Sequence, residues 1–264
     1  MTACAPAHRR LPDRLCGPRR PLARRPLLLC AAAALLAAAI PSAAQAETQV
    51  QLDGRLSPVI REVPRQPPSM TLRMTARFIG DGPGFQPPIL DHSVIRFPYG
   101  SRLNNRLFPH CDPALINRRG PDVCPSGSLI GRGYANVFAD TERQRLTVRM
   151  FNGRDGKSIV FYFHGSNPAR VDVAFAAPLR RLRGGMWNYV LNVPVPETLQ
   201  VVAGIPIYVR EFVSTVGATR RVNGRRLGFI EAWSCPPGGQ APVRGDFDFL
   251  ESDPVGVRSW IRCG

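Results

Sequence analysis

Residues 69–78 read Ser-Met-Thr-Leu-Arg-Met-Thr-Ala-Arg-Phe, and the fold turns on how they are read. Met70, Leu72, Met74, Ala76 and Phe78 fall at every second position, with Thr and Arg between them. Successive side chains of a strand point to opposite faces, so this is a β-strand with one face on a core and one in water. The same alternation runs through Arg145–Phe151 (Leu146, Val148, Met150), Arg170–Ala176 (Val171, Val173, Phe175) and Trp187–Val193 (Trp187, Tyr189, Leu191, Val193). Further strands are expected near 48–53, 90–97, 129–138, 158–163, 205–213, 227–235, 243–250 and 256–262.

Turn signals separate these runs: Gly80-Asp81-Gly82-Pro83, Asn152-Gly153, Gly165-Ser166-Asn167-Pro168, Gly184-Gly185 and Asn223-Gly224. The last predicts a two-residue hairpin turn that pairs Val222 with Arg225 and Arg221 with Arg226. With 24 Gly and 27 Pro in 264 residues, the chain has too many breakers for a helical bundle. About a dozen short strands suit an antiparallel sandwich or barrel; an all-β, jelly-roll-like antiparallel β-sandwich over 69–264 is the expectation. One short helix is predicted, capped by Asp112, started by Pro113 and stopped at Gly120-Pro121. Leu129, Gly131, Gly133 and Ala135 share one strand face, small enough for another backbone or a ring to approach closely. Residues 47–68 read as an N-terminal strand followed by a Pro-rich connector.

The N-terminus reads as an export signal. Seven arginines in residues 1–46 precede the apolar run Leu27–Ile40, which is too short to span a bilayer. Pro41 breaks that run, and Ala44-Gln45-Ala46 supplies the small residues of a cleavage site, so a cut is expected after Ala46. An uncleaved anchor is the alternative; Arg19-Arg20 leaves general and twin-arginine export both open. No later segment is long and apolar enough to cross a membrane. The net charge of +16 splits into +6 on residues 1–46 (seven Arg, one Asp) and +10 on the rest.

Four cysteines follow the signal: Cys111, Cys124, Cys235 and Cys263. An even count in an exported chain points to disulfides, and the local pairs Cys111–Cys124 and Cys235–Cys263 are expected. The first would staple the short helix in a small loop, stabilising it by roughly 3 kcal/mol. Zinc is the weaker alternative, since no CxxC spacing exists.

Several stretches run in a distinctive order: Gly80-Asp81-Gly82, Gln86-Pro87-Pro88, Phe97-Pro98-Tyr99-Gly100, Phe108-Pro109-His110-Cys111 and Cys124-Pro125. Then come Gly127-Ser128-Leu129-Ile130-Gly131-Arg132-Gly133, Phe151-Asn152-Gly153, Val193-Pro194-Val195-Pro196, Ser234-Cys235-Pro236-Pro237-Gly238-Gly239 and Cys263. In this order the chain resembles a group of uncharacterised exported β-rich proteins of high-GC Gram-positive bacteria, over roughly 68–263. The resemblance implies a secreted β domain and carries no activity.

No coherent catalytic set emerges. Asp91-His92-Ser93 cannot converge, because neighbours on a strand face opposite ways. His164 ends an apolar strand at a turn, and His110 sits beside Cys111. Asp246 and Asp248 share one strand face about 7 Å apart. They could hold Ca²⁺ with Glu251 and Asp253, or flank a glycosidic bond, although a wet strand face explains them as well. No metal or other cofactor is expected.

The basic residues are the most specific local oddity. Arg220, Arg221, Arg225 and Arg226 crowd one hairpin tip, Arg180, Arg181 and Arg183 form a second cluster, and Arg118-Arg119 a third. Such clusters suit an anionic cell-envelope polymer, glycan or lipid surface. Composition alone offers a rival account, with 34 Arg against one Lys. Export argues against nucleic acid as a partner. Trp233 and Trp260 are expected to pack beside the Cys235–Cys263 bridge. The expectation is a non-enzymatic exported module, secreted or cell-envelope associated, with a secreted carbohydrate-active hydrolase using Asp246 and Asp248 as the alternative.

Overall fold

The computed structural model describes residues 48–60, 66–80, 86–167 and 170–264. The export signal expected over 1–46, residues 61–65 of the connector, the turn at 81–83 and Pro168 lie outside the described residues.

In chain order the strands are β1 (Gln49–Ser57), β2 (Ser69–Ile79), β3 (Leu90–Pro98), β4 (Ser101–Leu103), β5 (Leu129–Ala139), β6 (Glu142–Asn152), β7 (Ser158–Gly165) and β8 (Val171–Arg181). They continue as β9 (Trp187–Pro194), β10 (Val201–Val202), β11 (Ile205–Val216), β12 (Thr219–Val222), β13 (Arg225–Gly228), β14 (Ile230–Ala232), β15 (Gln240–Phe249) and β16 (Ser252–Arg262). The helices are α1 (Pro113–Arg119) and α2 (Glu197–Gln200).

The all-β expectation holds, but the expected sandwich does not form. β2 pairs with β1 along one edge, Ala76 opposite Leu52, and with β11 along the other, Ala76 opposite Phe212. The ring β11-β5-β6-β7-β8-β9-β3-β15-β16-β1-β2 therefore returns to β11 as a closed 11-stranded barrel. Period-two alternation is common to sandwiches and barrels. Closure depends on whether β2 has a free edge, which is a tertiary fact that no single strand carries. Closure also removes the exposed edges that an open sheet must protect.

An odd number of strands cannot alternate direction all the way round a ring, so one neighbouring pair must be parallel. That pair is β1 with β16, a short contact through Gly54 opposite Ile261 and Arg55 opposite Arg262. Gly54 makes room for it, because a Cβ there would lie 2.6 Å from Ile261 Cγ1. The small face expected on β5 has the same purpose at another corner. A Cβ on Gly133 would meet the Val213 carbonyl oxygen at 2.0 Å, so β11 crosses β5 closer than any side chain allows. Leu129 departs from that face: a register irregularity between Leu129 and Gly131 turns it out to the Ile116 cluster, and Ile130 enters the core instead.

The wall has a second short seam. β8 pairs with β9 only at Leu179, Arg180 and Arg181. Pro178 brings no N–H to the ladder just before that contact, as suits a strand running along an edge. Farther along, α1 covers for the missing strand. The Asn117 amide donates to the Ala174 carbonyl at 2.8 Å and its oxygen accepts from Ala174 N–H at 2.7 Å. α1 itself forms as expected, with Asp112 Oδ1 accepting from Ala114 N–H at 2.8 Å and Gly120 ending it. Ile116 seats it on the outer faces of β7 and β8, against Val160, Tyr162 and Ala174.

One end of the barrel, where β1 stops at Ser57 and β3 at Pro98, is crossed by β14, which bridges β2 and β4. We call this the capped end. Both expected disulfides are formed, Cys111–Cys124 and Cys235–Cys263. The hairpin of β12 and β13 has the expected register, Val222 opposite Arg225 and Arg221 opposite Arg226, with Asn223 and Gly224 at positive φ. Asn152, expected in a turn, is instead the buried last residue of β6. Its amide donates to the carbonyls of Asn105 (2.8 Å) and Phe108 (2.9 Å), tying the segment before α1 to the barrel.

The cap is locked by one ion pair. Glu231 on β14 is 1% exposed and accepts from Arg102 of β4, Nη2 at 2.7 Å and Nε at 2.8 Å. Removing the arginine leaves a buried carboxylate without its counter-ion, whereas neutralising the acid does not. Arg102→Ala is expected to cost about 3 kcal/mol in urea unfolding, and Glu231→Gln about 1 kcal/mol. Equal small losses would show that the pair does not hold the cap.

Candidate functional site

The site is the inside of the barrel. Every strand of the ring turns its apolar set inward: Leu52 and Leu56 from β1, Met74 and Phe78 from β2, Phe161 and Phe163 from β7, Val209 and Phe212 from β11. An eight-stranded barrel is about the size that side chains alone can fill, and this one has three more strands. Among the described residues no helix occupies the lumen. α1 lies on the outer wall, and α2 packs Leu199 against Ile207 and Ala139 at the end opposite the cap.

The consequence is a void. Phe97, Phe163, Phe175, Phe212, Leu72 and Met74 all face inward, yet each is only half-buried. In a packed core such side chains would be lost to water altogether. The cavity they border measures about 240 Å³. One wall is aromatic, with Phe161 and Phe163 each stacked on Phe175 at 5.8 and 6.0 Å between centroids, and Phe212 set against both. Polar groups are few: Ser93 of β3 and Ser214 of β11 line it from different walls, Ser101 and Ser234 stand at the capped end, and Tyr189 Oη accepts from Leu103 N–H at 3.2 Å near the cap. Such a chamber can hold a small apolar molecule and offers at most a hydroxyl or two to a polar end.

The cavity reaches solvent at the capped end. Of its lining residues only Tyr99 and Ser234 are exposed, and they adjoin: Trp233 N–H donates to the Gly100 carbonyl at 3.0 Å. Trp187 lies opposite Pro98 in the ladder, so Met186 and Tyr99 flank the same opening. Trp233 and Trp260, expected beside the second disulfide, are 38% and 55% exposed.

The charged residues that the sequence singled out face away from this cavity. Asp246 stands between Arg96 and Arg244, with Arg244 Nε at 2.9 Å. Burial pushes its carboxyl up, but donation from the two guanidinium groups outweighs that and holds it below the usual range. Asp248 accepts from His92 Nδ1 at 3.1 Å, and Asp91 from Gln200 at 2.9 Å. His92 and Ser93 do face opposite ways, with Ser93 inside. His110 is exposed beside its disulfide. No group of His, Cys, Asp or Glu among the described residues is placed to hold a metal ion. Arg180, Arg181 and Arg183 and the hairpin arginines Arg220, Arg221, Arg225 and Arg226 are all exposed. Among the described residues none of these seven pairs with a carboxylate. On β1, β2 and β15 the outward residues are mostly polar and the inward ones apolar, the reverse of a transmembrane strand.

The lumen itself escapes a reading strand by strand. Its signal is small inward residues, Ser93, Ala135 and Ser214, at positions where a packed sandwich core carries large ones.

No family model matches the chain, and no curated protein or solved structure matches it.

A titrating cluster on the outer wall makes a measurable prediction. Asp172 takes hydrogen bonds from His164 Nδ1 (2.7 Å), Arg170 Nε (2.9 Å) and Tyr162 Oη (2.9 Å). The His164 bond leads in holding its carboxyl down at about 2, against burial, from an ordinary 3.8. Tyr162 is pushed up to about 12, first by burial and then by the Asp172 carboxylate that takes its hydrogen bond. A depressed carboxyl stabilises the fold fully above its unfolded value, and that stability is lost as pH falls through the folded one. Stability is therefore expected to drop between about pH 4 and pH 2 more steeply in the wild type than in Asp172→Asn, read as melting temperature against pH. Parallel curves would refute the assignment.

Proposed function

We propose that this chain is an exported, non-enzymatic barrel that carries a small apolar molecule in its lumen, in or near the cell envelope. The observation that carries this reading is the half-buried ring of inward phenylalanines around a void with an opening at one end. Volume narrows the ligand class. Pockets for drug-sized ligands run from about 300 to 1,000 Å³, so about 240 Å³ suits one acyl chain or a compact ring system and excludes a two-chain lipid. Orientation of the ligand falls to Ser93 and Ser214, the polar groups within reach of its body.

Export rests on the Arg-rich leader, the short apolar run and Ala44-Gln45-Ala46, and the two disulfides are compatible with an oxidising compartment. The hydrolase alternative loses support where its acids sit. Asp246 is engaged by two arginines on a convex wall, which suits neither a proton donor nor a nucleophile. An anionic envelope partner keeps support from the seven exposed arginines, none of which pairs with a carboxylate among the described residues.

The test uses N-phenyl-1-naphthylamine, a neutral apolar fluorophore, so that the surface arginines play no part. The wild type is expected to bind it with micromolar affinity and enhanced emission. Ser93→Phe with Ser214→Phe, which fills the void, is expected to weaken uptake at least tenfold while raising stability by about 1 kcal/mol. A packed interior would instead be destabilised by the added rings, by about 1–3 kcal/mol. That result, or unchanged uptake, would overturn the reading.

A further inference from the structure

We propose that the capped end of the barrel seats on an anionic lipid surface and exchanges its ligand there through the opening between Tyr99 and Ser234. This rests on the ligand-carrier reading and adds to it a partner and a route.

Three independent features meet at this end. The first is the opening, whose rim is apolar. Tyr99 (45% exposed), Met186 (63% exposed) and Trp233 surround it, and Trp260 projects from the adjoining outer wall, opposite Pro242 in the ladder. Tyr and Trp are the residues that settle where water meets lipid, since each has an apolar body and a polar tip. On β1, β2 and β15 the outward positions are mostly Arg, Asp, Thr and Gln, and the exposed large apolar side chains at the opposite rim, Val201, Ile205 and Leu250, are all aliphatic, so among the described residues the exposed aromatic ones gather at this end.

The second feature is charge. Arg180 and Arg181 end β8, and Arg183 lies with Met186 in the β8–β9 connection, one strand from Tyr99. The arginine hairpin follows β11 and so projects from the same end. It is anchored there by Arg220 donating to the Leu107 carbonyl and Arg225 to Gln66 at 3.2 Å. Of the acids at or near this end among the described residues, Glu231 is neutralised by Arg102, Asp112 pairs with Arg154 and Asp122 with Arg149, and Asp155 stands two residues from Lys157. The opposite rim is mixed: Asp140, Glu142, Glu197 and Glu251 stand there beside Arg143 and Arg170. Basic side chains near an anionic leaflet are attracted individually, and those on one end of a rigid barrel act together.

The third feature is the ligand path. A small apolar molecule leaves a dry lumen for water only at the full hydrophobic cost. An opening pressed against acyl chains removes that step. A soluble anionic polymer would engage the arginines but would give the aromatic rim nothing to enter, so the lipid surface is the partner favoured.

The experiment is cosedimentation of the purified protein with phosphatidylglycerol-containing vesicles, with pure phosphatidylcholine vesicles, and with soluble polyphosphate as competitor. Binding is expected to the anionic vesicles, weakened by salt, with a blue shift of tryptophan emission as Trp233 and Trp260 enter the interface. Arg180→Ser, Arg181→Ser and Arg183→Ser together are expected to lower partitioning about a hundredfold. Tyr99→Ser with Trp233→Ser is expected to lower it at least tenfold while leaving polyphosphate binding intact. Equal binding to both vesicle types, or an aromatic variant that docks like the wild type, would overturn the proposal, the latter in favour of an anionic polymer. Fluorophore uptake measured without vesicles separates the two readings. Lost docking with intact uptake overturns this inference alone, and lost uptake with intact docking overturns the carrier reading.

Discussion

The structure depends on β2 having no free edge. Its residues from Leu72 to Arg77 are paired on one side to β1 and on the other to β11, and this double engagement turns a curled sheet into a ring. The other features follow. Eleven strands enforce one parallel junction, which needs Gly54; the same number makes the lumen wider than its side chains can fill. A sandwich built from these strands would press its two inner faces together at about 10 Å and leave no chamber.

The void has an energetic meaning. Inward phenylalanines that face empty space forgo the dispersion contacts of a packed core, and a dry apolar chamber stays dry because it offers water few partners. The barrel can tolerate this because its outer clusters and covalent ties lie elsewhere: α1 is stapled by Cys111–Cys124, and the capped end is secured by Cys235–Cys263 and by Arg102–Glu231. The inward faces still pack an extensive buried cluster, with Leu52, Phe78, Phe161 and Phe247 among its members, so the cavity is a gap within a core.

Much of this was legible in the sequence, for reasons particular to each element. Alternation placed nearly every strand, because period two depends only on local geometry. Asn223-Gly224 fixed a hairpin register, since few residue pairs tolerate two successive left-handed positions. Asp112-Pro113 and Gly120 delimited α1 through capping chemistry alone. Closure was not legible, because the partner of β2's second edge lies more than a hundred residues along the chain. The lumen was hidden for the same reason: Phe163, Phe175 and Phe212 read as core on three separate strands. Only in the assembled ring do they come together, as one aromatic cluster that stays partly exposed beside the cavity. The site residues expected from the sequence were charged groups, which are conspicuous one by one, whereas the assembled site is apolar and collective.

Amide hydrogen exchange along β2 tests closure most directly. Successive N–H groups of a strand point to alternate sides, so a strand paired on both edges protects all of them and an edge strand protects every second one. The barrel predicts continuous slow exchange from Leu72 to Arg77. Fast exchange at alternate residues of that stretch would mean an open edge, and with it the loss of the ring, the lumen and the carrier reading.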